Sequence, residues 1–197
     1  GVKRDLPIGF ALRCRAKLKL FLDRIQEYEA ILDESTIFLV RTQGVGYAKA
    51  EEMINHGVSG PNVRAAGHNY DVRWAHPYSV YDELDWEPSV ERPSIKGSDC
   101  YDRYRVRVEE MRQSALMILD GLDKMPGGAD TYHEPGDPAI LAKAPARAAE
   151  GQTGYHHFED SRGESMFYLA GGGEGRGKHP YRVSIRSPMF ITIPYAA

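Results

Sequence analysis

The chain predicts a mainly helical α+β fold, in which long antiparallel helices are joined by a small C-terminal β element. Two apolar seams at helical spacing and one switch to period-two patterning carry this reading. Tyr101, Tyr104, Val108, Met111, Ala115, Ile118, Leu122 and Met125 are separated by 3, 4, 3, 4, 3, 4 and 3 residues. That spacing keeps one stripe on one helix face for about seven turns. Leu18, Phe21, Ile25, Tyr28 and Leu32 repeat at 3, 4, 3 and 4. Two long helices with matching seams bury them most simply against each other, near-antiparallel. From Glu164 onward the apolar residues alternate as in strands.

Taken in order, residues 1–9 form an irregular lead-in ending in Leu6-Pro7-Ile8-Gly9, and the first long helix runs from about Phe10 to Asp33. An apolar patch, Ile37-Phe38-Leu39-Val40, leads to Gly44-Val45-Gly46. A short helix from Ala48 to Asn55 stops at Gly57, and Pro61 suits the first position of the next helical turn. Residues 67–87 are aromatic and charged without helical period, and read as loop with short strand pieces pinned by Pro77 and Pro88. Ser98 or Asp99 caps the second long helix, because their side-chain oxygens accept from free backbone N–H groups. Gly97 and Pro126-Gly127-Gly128 punctuate its ends.

Residues 126–157 are a Gly/Pro/Ala-rich connector, unusually long for a compact domain, and read as a subunit-facing or partly mobile loop. Met166–Leu169 and Tyr181–Arg186 flank a Gly-rich turn and read as a β-hairpin. His156-His157 falls at the end of the connector. The expected organisation is a helical portion at 1–125 with a loop at 57–97, a connector at 126–160, and a hairpin portion of the same domain at 161–197. The start without Met, and the buried-looking run from Met189 to Ile193 beside the end, read as a piece of a longer protein.

At 197 residues the chain is long enough to bury a substantial core. The formal net charge of −3 speaks against a nucleic-acid binder. Arg103, Arg105, Arg107 and Arg112 nonetheless crowd ten residues of one helix. That face suits carboxylates of another subunit, with Arg103 and Arg107 as the interface candidates. Cys14 and Cys100 are far apart and form no CxxC pair, which indicates neither a disulfide framework nor a zinc site. No apolar run approaches the roughly 18 residues of a membrane span.

Chemistry concentrates between Ser59 and Tyr78, SGPNVRAAGHNYDVRWAHPY. Arg64, Asp71 and Arg73 lie among glycines, and an Asp and an Arg two residues apart are able to orient each other. Two readings stand: a buried polar network that fixes the loop, or a ligand-facing site. His68 and His76 are eight apart with no carboxylate at ligand spacing, so no metal site is expected. Arg162 and Glu164 bracket Gly163 at a turn into a strand, a candidate charge pair at a pocket or subunit edge. Gly171 to Gly175 lacks the following helix and Lys-Ser/Thr pair of a phosphate loop. No Ser/His/Asp or Cys/His arrangement stands out, so catalytic residues stay unassigned.

Seven strings carry a resemblance: GVKRDLP (1–7), EYEAILDES (27–35), SGPNVRAAGHNYDVR (59–73), HPYSVYDELDWE (76–87), SDCYDRYRVRVEEMRQS (98–114), SRGE (161–164) and PYRVSIRSPMF (180–190). In this order they resemble the C-terminal half of the D-subunit family of NADH-quinone oxidoreductase, the large core subunit of respiratory complex I. The resemblance implies the fold of nickel–iron hydrogenase large subunits. It also implies a place in the peripheral arm beside the iron–sulfur subunit, on the cytoplasmic side of a prokaryotic plasma membrane (the matrix side in mitochondria). Other peripheral-arm and membrane-arm subunits are the further partners. The family helps form a quinone cavity, and quinone reduction there drives ion translocation. No cofactor is expected on this chain itself; quinone is the substrate and the iron–sulfur cluster belongs to the neighbouring subunit. Arg64, Asp71, Arg73, Arg162 and Glu164 carry over as residues that order the cavity wall or an interface. The family's N-terminal region and its C-terminal segment lie outside these residues, so the isolated chain is expected to be inactive. The alternatives are a membrane-bound hydrogenase-like large subunit and a non-catalytic scaffold or split-subunit piece.

Overall fold

The computed structural model describes residues 6–90, 97–125, 151–172 and 179–196. The fold is α+β. Helix α1 spans Phe10–Asp33, α2 Thr36–Thr42, α3 Ala50–Asn55, α4 Pro61–Ala65, α5 Val72–Ala75 and α6 Cys100–Lys124. Strands β1 (Thr153–Asp160), β2 (Gly163–Ala170) and β3 (Arg182–Arg186) follow, and α7 spans Pro188–Ala196.

Helices α1 and α6 are the antiparallel pair that the seams predict. Ile25 from α1, and Val108, Ala115 and Leu122 from α6, are buried. Three polar contacts fix the register along the pair. Arg15 reaches Asp123 at 2.6 Å, Arg112 reaches Glu29 at 2.6 Å, and the Tyr101 hydroxyl donates to Asp33 at 3.0 Å. The seam is only partly covered, for Phe21, Tyr28, Met111 and Ile118 are 39, 58, 40 and 47% exposed. On its other side α6 buries Val106 and Met117 and contacts α4.

Asp99 caps α6. Its carboxylate accepts from Asp102 N at 2.9 Å, and Asp102 returns the bond to Asp99 N at 3.1 Å. This reciprocal box satisfies two free donors of the first turn. Asp99 also accepts from Gly44 N at 2.8 Å, which anchors the preceding loop to the helix start. Ala48 and Ser98 pair as an isolated antiparallel bridge.

A second core forms under α3 and α4. Ala48, Met53, Val58 and Val63 cluster there, with Ala66, Ile191 and Tyr195 packed against them. The run Met189–Ile193 is thus part of α7, and it is not wholly buried: Phe190 is 75% exposed. The apolar patch at Ile37–Val40 lies within α2, which Ser35 caps by accepting from Phe38 N.

The β element is larger than the expected hairpin. Strands β2 and β3 pair antiparallel as predicted, and β1 adds on the other edge, giving the order β1-β2-β3. Residues 153–160 are therefore strand rather than connector, and His156-His157 sits inside β1. The alternation there is masked because both faces carry rings: His156 and Phe158 on one, Tyr155 and His157 on the other. Residues 67–87 hold turns and the one-turn α5, with no strand among the described residues. Asp71 caps that turn instead, accepting from Arg73 N. Residues 126–150 of the connector and 173–178 of the Gly-rich loop lie outside the described residues.

Candidate functional site

Arg64 is the centre of a buried charge network. Gly60, in the left-handed region at φ 76°, turns the chain into α4, and Pro61 opens the helix. Arg64 points inward from α4 with a side chain 2% exposed. Its Nε donates to Glu110 Oε1 at 2.7 Å, and its Nη1 to Glu159 Oε1 and the Tyr70 carbonyl at 2.9 Å each. Asp71 Oδ2 lies 3.2 Å from the same Nη1. Three elements thus send one carboxylate each to a single guanidinium: α6, β1 and the loop before α5.

Asp71 and Arg73 do orient each other. Arg73 donates to Asp71 Oδ1 from Nε at 3.0 Å and to Oδ2 from Nη2 at 2.7 Å, a bidentate fork. The Arg73 guanidinium lies over Trp86, 4.7 Å from the ring centroid, and 5.7 Å from that of Tyr81. Glu159 is held on both oxygens, because Val72 N donates to Oε2 at 3.2 Å. Glu159 N in turn donates to the Tyr78 hydroxyl oxygen at 3.2 Å.

Burial pushes the Glu110 carboxyl above its ordinary range, with Arg64 opposing and Asp71 adding to the rise. Glu159 is raised for the same reasons, burial first. Burial disfavours charge on Arg64 also, yet Glu110, Glu159 and Asp71 together raise its pKa. The arginine stays charged while the carboxylates compete for it.

A second cluster lies on the same sheet. Glu164 Oε1 contacts His157 Nδ1 at 2.6 Å, and its Oε2 accepts from the Tyr70 hydroxyl at 3.4 Å. Arg186 Nη1 stands 3.8 Å from that oxygen. Glu164 N donates to Ser59 Oγ at 2.9 Å. The Arg162–Glu164 pair that the sequence suggests does not form among the described residues. Arg162 sits in the β1–β2 turn, exposed, while Glu164 projects from β2 beside His157 and Arg186.

Arg103 and Arg107 lie one turn apart on α6. Arg103 donates to the Gly46 carbonyl at 2.6 Å and the Ser98 carbonyl at 3.2 Å. Arg107 donates to the Arg103 carbonyl at 2.9 Å and to Asn62 Oδ1 at 3.1 Å. A cavity of about 530 Å³ opens beside the network, and its lining includes Phe21, Met111 and Ile118 as well as Arg64, Glu110 and Glu159. Among the described residues no group of three His, Cys, Asp or Glu side chains is placed to hold a metal ion, and no helix is long and apolar enough to cross a membrane.

Sequence reading singled out Arg64, Asp71 and Arg73 but not Glu110, Glu159 or His157. The one local signal for Glu110 is its place three residues after Arg107, on the arginine side of α6.

The family model for the respiratory-chain NADH dehydrogenase 49 kDa subunit matches residues 1–196. The chain belongs to this family. Among similar proteins, a D subunit of NADH-quinone oxidoreductase from Rhizobium etli is 34% identical over 98% of this chain and 50% of its own length. The D subunit from Syntrophobacter fumaroxidans is 38% identical over 96% of this chain and 47% of its own. That from Methylacidiphilum infernorum is 34% identical over 98% and 48%. The chain spans about half the length of these curated relatives.

Proposed function

We propose that this chain forms part of the quinone-cavity wall in the peripheral arm of an NADH:quinone oxidoreductase, beside the subunit that carries the terminal iron–sulfur cluster. The match of the family model along residues 1–196 carries the reading. The geometry supports it. A cavity wall needs a rigid backing, and the Arg64 network ties α4, α6, β1 and the loop before α5 into one buried unit.

In this reading Arg64, Asp71 and Arg73, with Glu110 and Glu159, shape the wall and do not touch the reacting atoms. Arg162 and the Arg103–Arg107 edge face other subunits. The complex sits at the membrane through its other subunits, on the cytoplasmic side in a prokaryote, and couples quinone reduction to ion translocation. The chain alone turns over neither NADH nor quinone.

Affinity purification of the tagged chain from host membranes tests this. The expected result is co-purification with an iron–sulfur subunit and NADH:quinone turnover in the complex, with none in the isolated chain. Recovery of hydrogen-oxidising activity, or of the chain free of any partner, would overturn it.

A further inference from the structure

Three carboxylates bring six oxygens to Arg64 and Arg73, and five of them accept a hydrogen bond. Arg73 holds both oxygens of Asp71, while Arg64 and Val72 N hold one each of Glu159. Glu110 differs. Arg64 Nε and Nη2 converge on its Oε1, at 2.7 and 2.6 Å. Its Oε2 accepts from no donor among the described residues.

The charges do not balance either. Asp71, Glu110 and Glu159 meet two guanidinium groups, which leaves one negative charge in excess. The neighbouring elements do not supply the missing cation. Arg107, on the same helix as Glu110, gives its N–H groups to the Arg103 carbonyl and to Asn62 Oδ1, and makes no ion pair with Glu110. Asp160, next to Glu159 on β1, is one more anion and accepts from Ser161 N. From α1 the cavity lining receives only Leu18 and Phe21. A buried anion without its cation is relieved by a proton.

Geometry chooses the atom. A protonated carboxyl keeps one oxygen as an acceptor and turns the other into a donor. On Asp71 or Glu159 that change would cost a bond from an N–H group already in place. On Glu110 it costs none, because Oε1 goes on accepting from Arg64. Access agrees: the Glu110 side chain is 19% exposed, against 1% for Asp71 and 3% for Glu159, and it lines the cavity. We propose that the Arg64 network is a binding site for one proton, carried on Glu110 Oε2 and exchanged through the cavity. With the proton bound the cluster is neutral, and Asp71 and Glu159 keep their charge against Arg73 and Arg64. The wall of the cavity thereby switches between neutral and singly negative. The site is made of this chain's own side chains, so it stands apart from the quinone reading.

Infrared spectroscopy tests it, on the protein purified through a tag on this chain with whatever subunits accompany it. The readout is the C=O stretch of an un-ionised carboxyl, recognised by its shift in heavy water. The expected band appears on acidification while the pH is still above the ordinary glutamate value near 4.5, and is missing from Glu110→Gln. In Glu159→Gln, or in Asp71→Asn where that variant does not fold, one competing anion is gone and the band should need a lower pH. No such band above pH 4.5, a band that survives Glu110→Gln, or a band whose pH is unmoved when a neighbouring acid is neutralised overturns the proposal. So does a Glu110→Gln protein that fails to fold, because glutamine reproduces the neutral state.

Discussion

Arg64 Nη1 and Glu159 Oε1 meet at 2.9 Å from positions 95 residues apart, with both side chains almost sealed from water. The contact joins α4 to β1, and the helical part of the chain to its sheet. The same guanidinium holds Glu110 of α6. Removing it strips Glu110 and Glu159 of their cation and leaves Asp71 to Arg73 alone.

Arg64→Met should therefore lower stability by about 3–5 kcal/mol, the usual cost of breaking a buried ion pair from one side. Arg64→Lys should recover only part, since an ammonium lacks the planar fork that serves several acceptors. Urea titration of the purified protein reads both effects as shifts in midpoint.

The raised Glu110 and Glu159 carboxyls give an unusual pH slope. Each binds its proton more tightly folded than unfolded. Their contribution is fully present below the ordinary glutamate value near 4.5 and is lost as pH rises through the higher folded values. Glu110→Gln should flatten this part of the stability–pH curve from pH 4.5 upward. A slope equal to that of the parent protein would count against the assignment.

Asp99 behaves in the opposite sense. Burial alone would raise its pKa, but N–H donors from Gly44, Asp102 and Tyr101, with Arg103, hold it below the ordinary value. Its contribution is present above the unfolded aspartate pKa and is lost as pH falls through the lower folded value. Asp99→Ala should cost about 1 kcal/mol at neutral pH and Asp99→Asn much less, because asparagine also caps. Thermal unfolding at pH 7 and pH 3 checks both the size and the sign.

Gly60 and Gly163 pass within backbone contact. A Cβ on Gly60 would lie 2.3 Å from Gly163 Cα, and one on Gly163 would lie 2.7 Å from Ser59 Oγ. Gly60→Ala combines overpacking of about 1–3 kcal/mol with backbone strain of about 1–3 kcal/mol, since φ 76° with ψ −149° is a region essentially restricted to glycine. Gly163→Ala should cost a similar amount. The double variant should cost less than the sum of the two, since the same two loops separate only once. Additive melting shifts would show that the loops are independent.

Helices α1, α3, α4 and α6 were legible because their signals are local: seam spacing, Pro61 at a first turn, Ser98 or Asp99 ahead of the second seam. Strand β1 was not, because rings on both faces of Tyr155–Phe158 erase the polarity alternation that marks an edge strand. The site was half legible. Asp71 and Arg73 are neighbours in sequence, so their pairing shows in the text. Glu110 and Glu159 reach Arg64 across separations of 46 and 95 residues, which no local pattern encodes. Arg162 and Glu164 misled in the other direction. They are near in sequence, but the β1–β2 turn sends one to solvent and the other onto the sheet beside Arg186.

The three polar ties along α1 and α6, at Arg15–Asp123, Glu29–Arg112 and Asp33–Tyr101, have a mechanical consequence. A slip of one helical turn, about 5.4 Å, would break all three together. The pair therefore resists sliding and moves as a strut. A push at the Asp33–Tyr101 end, where the Gly44–Asp99 anchor also sits, arrives at the Asp123 end as displacement of the whole pair rather than as shear between its members.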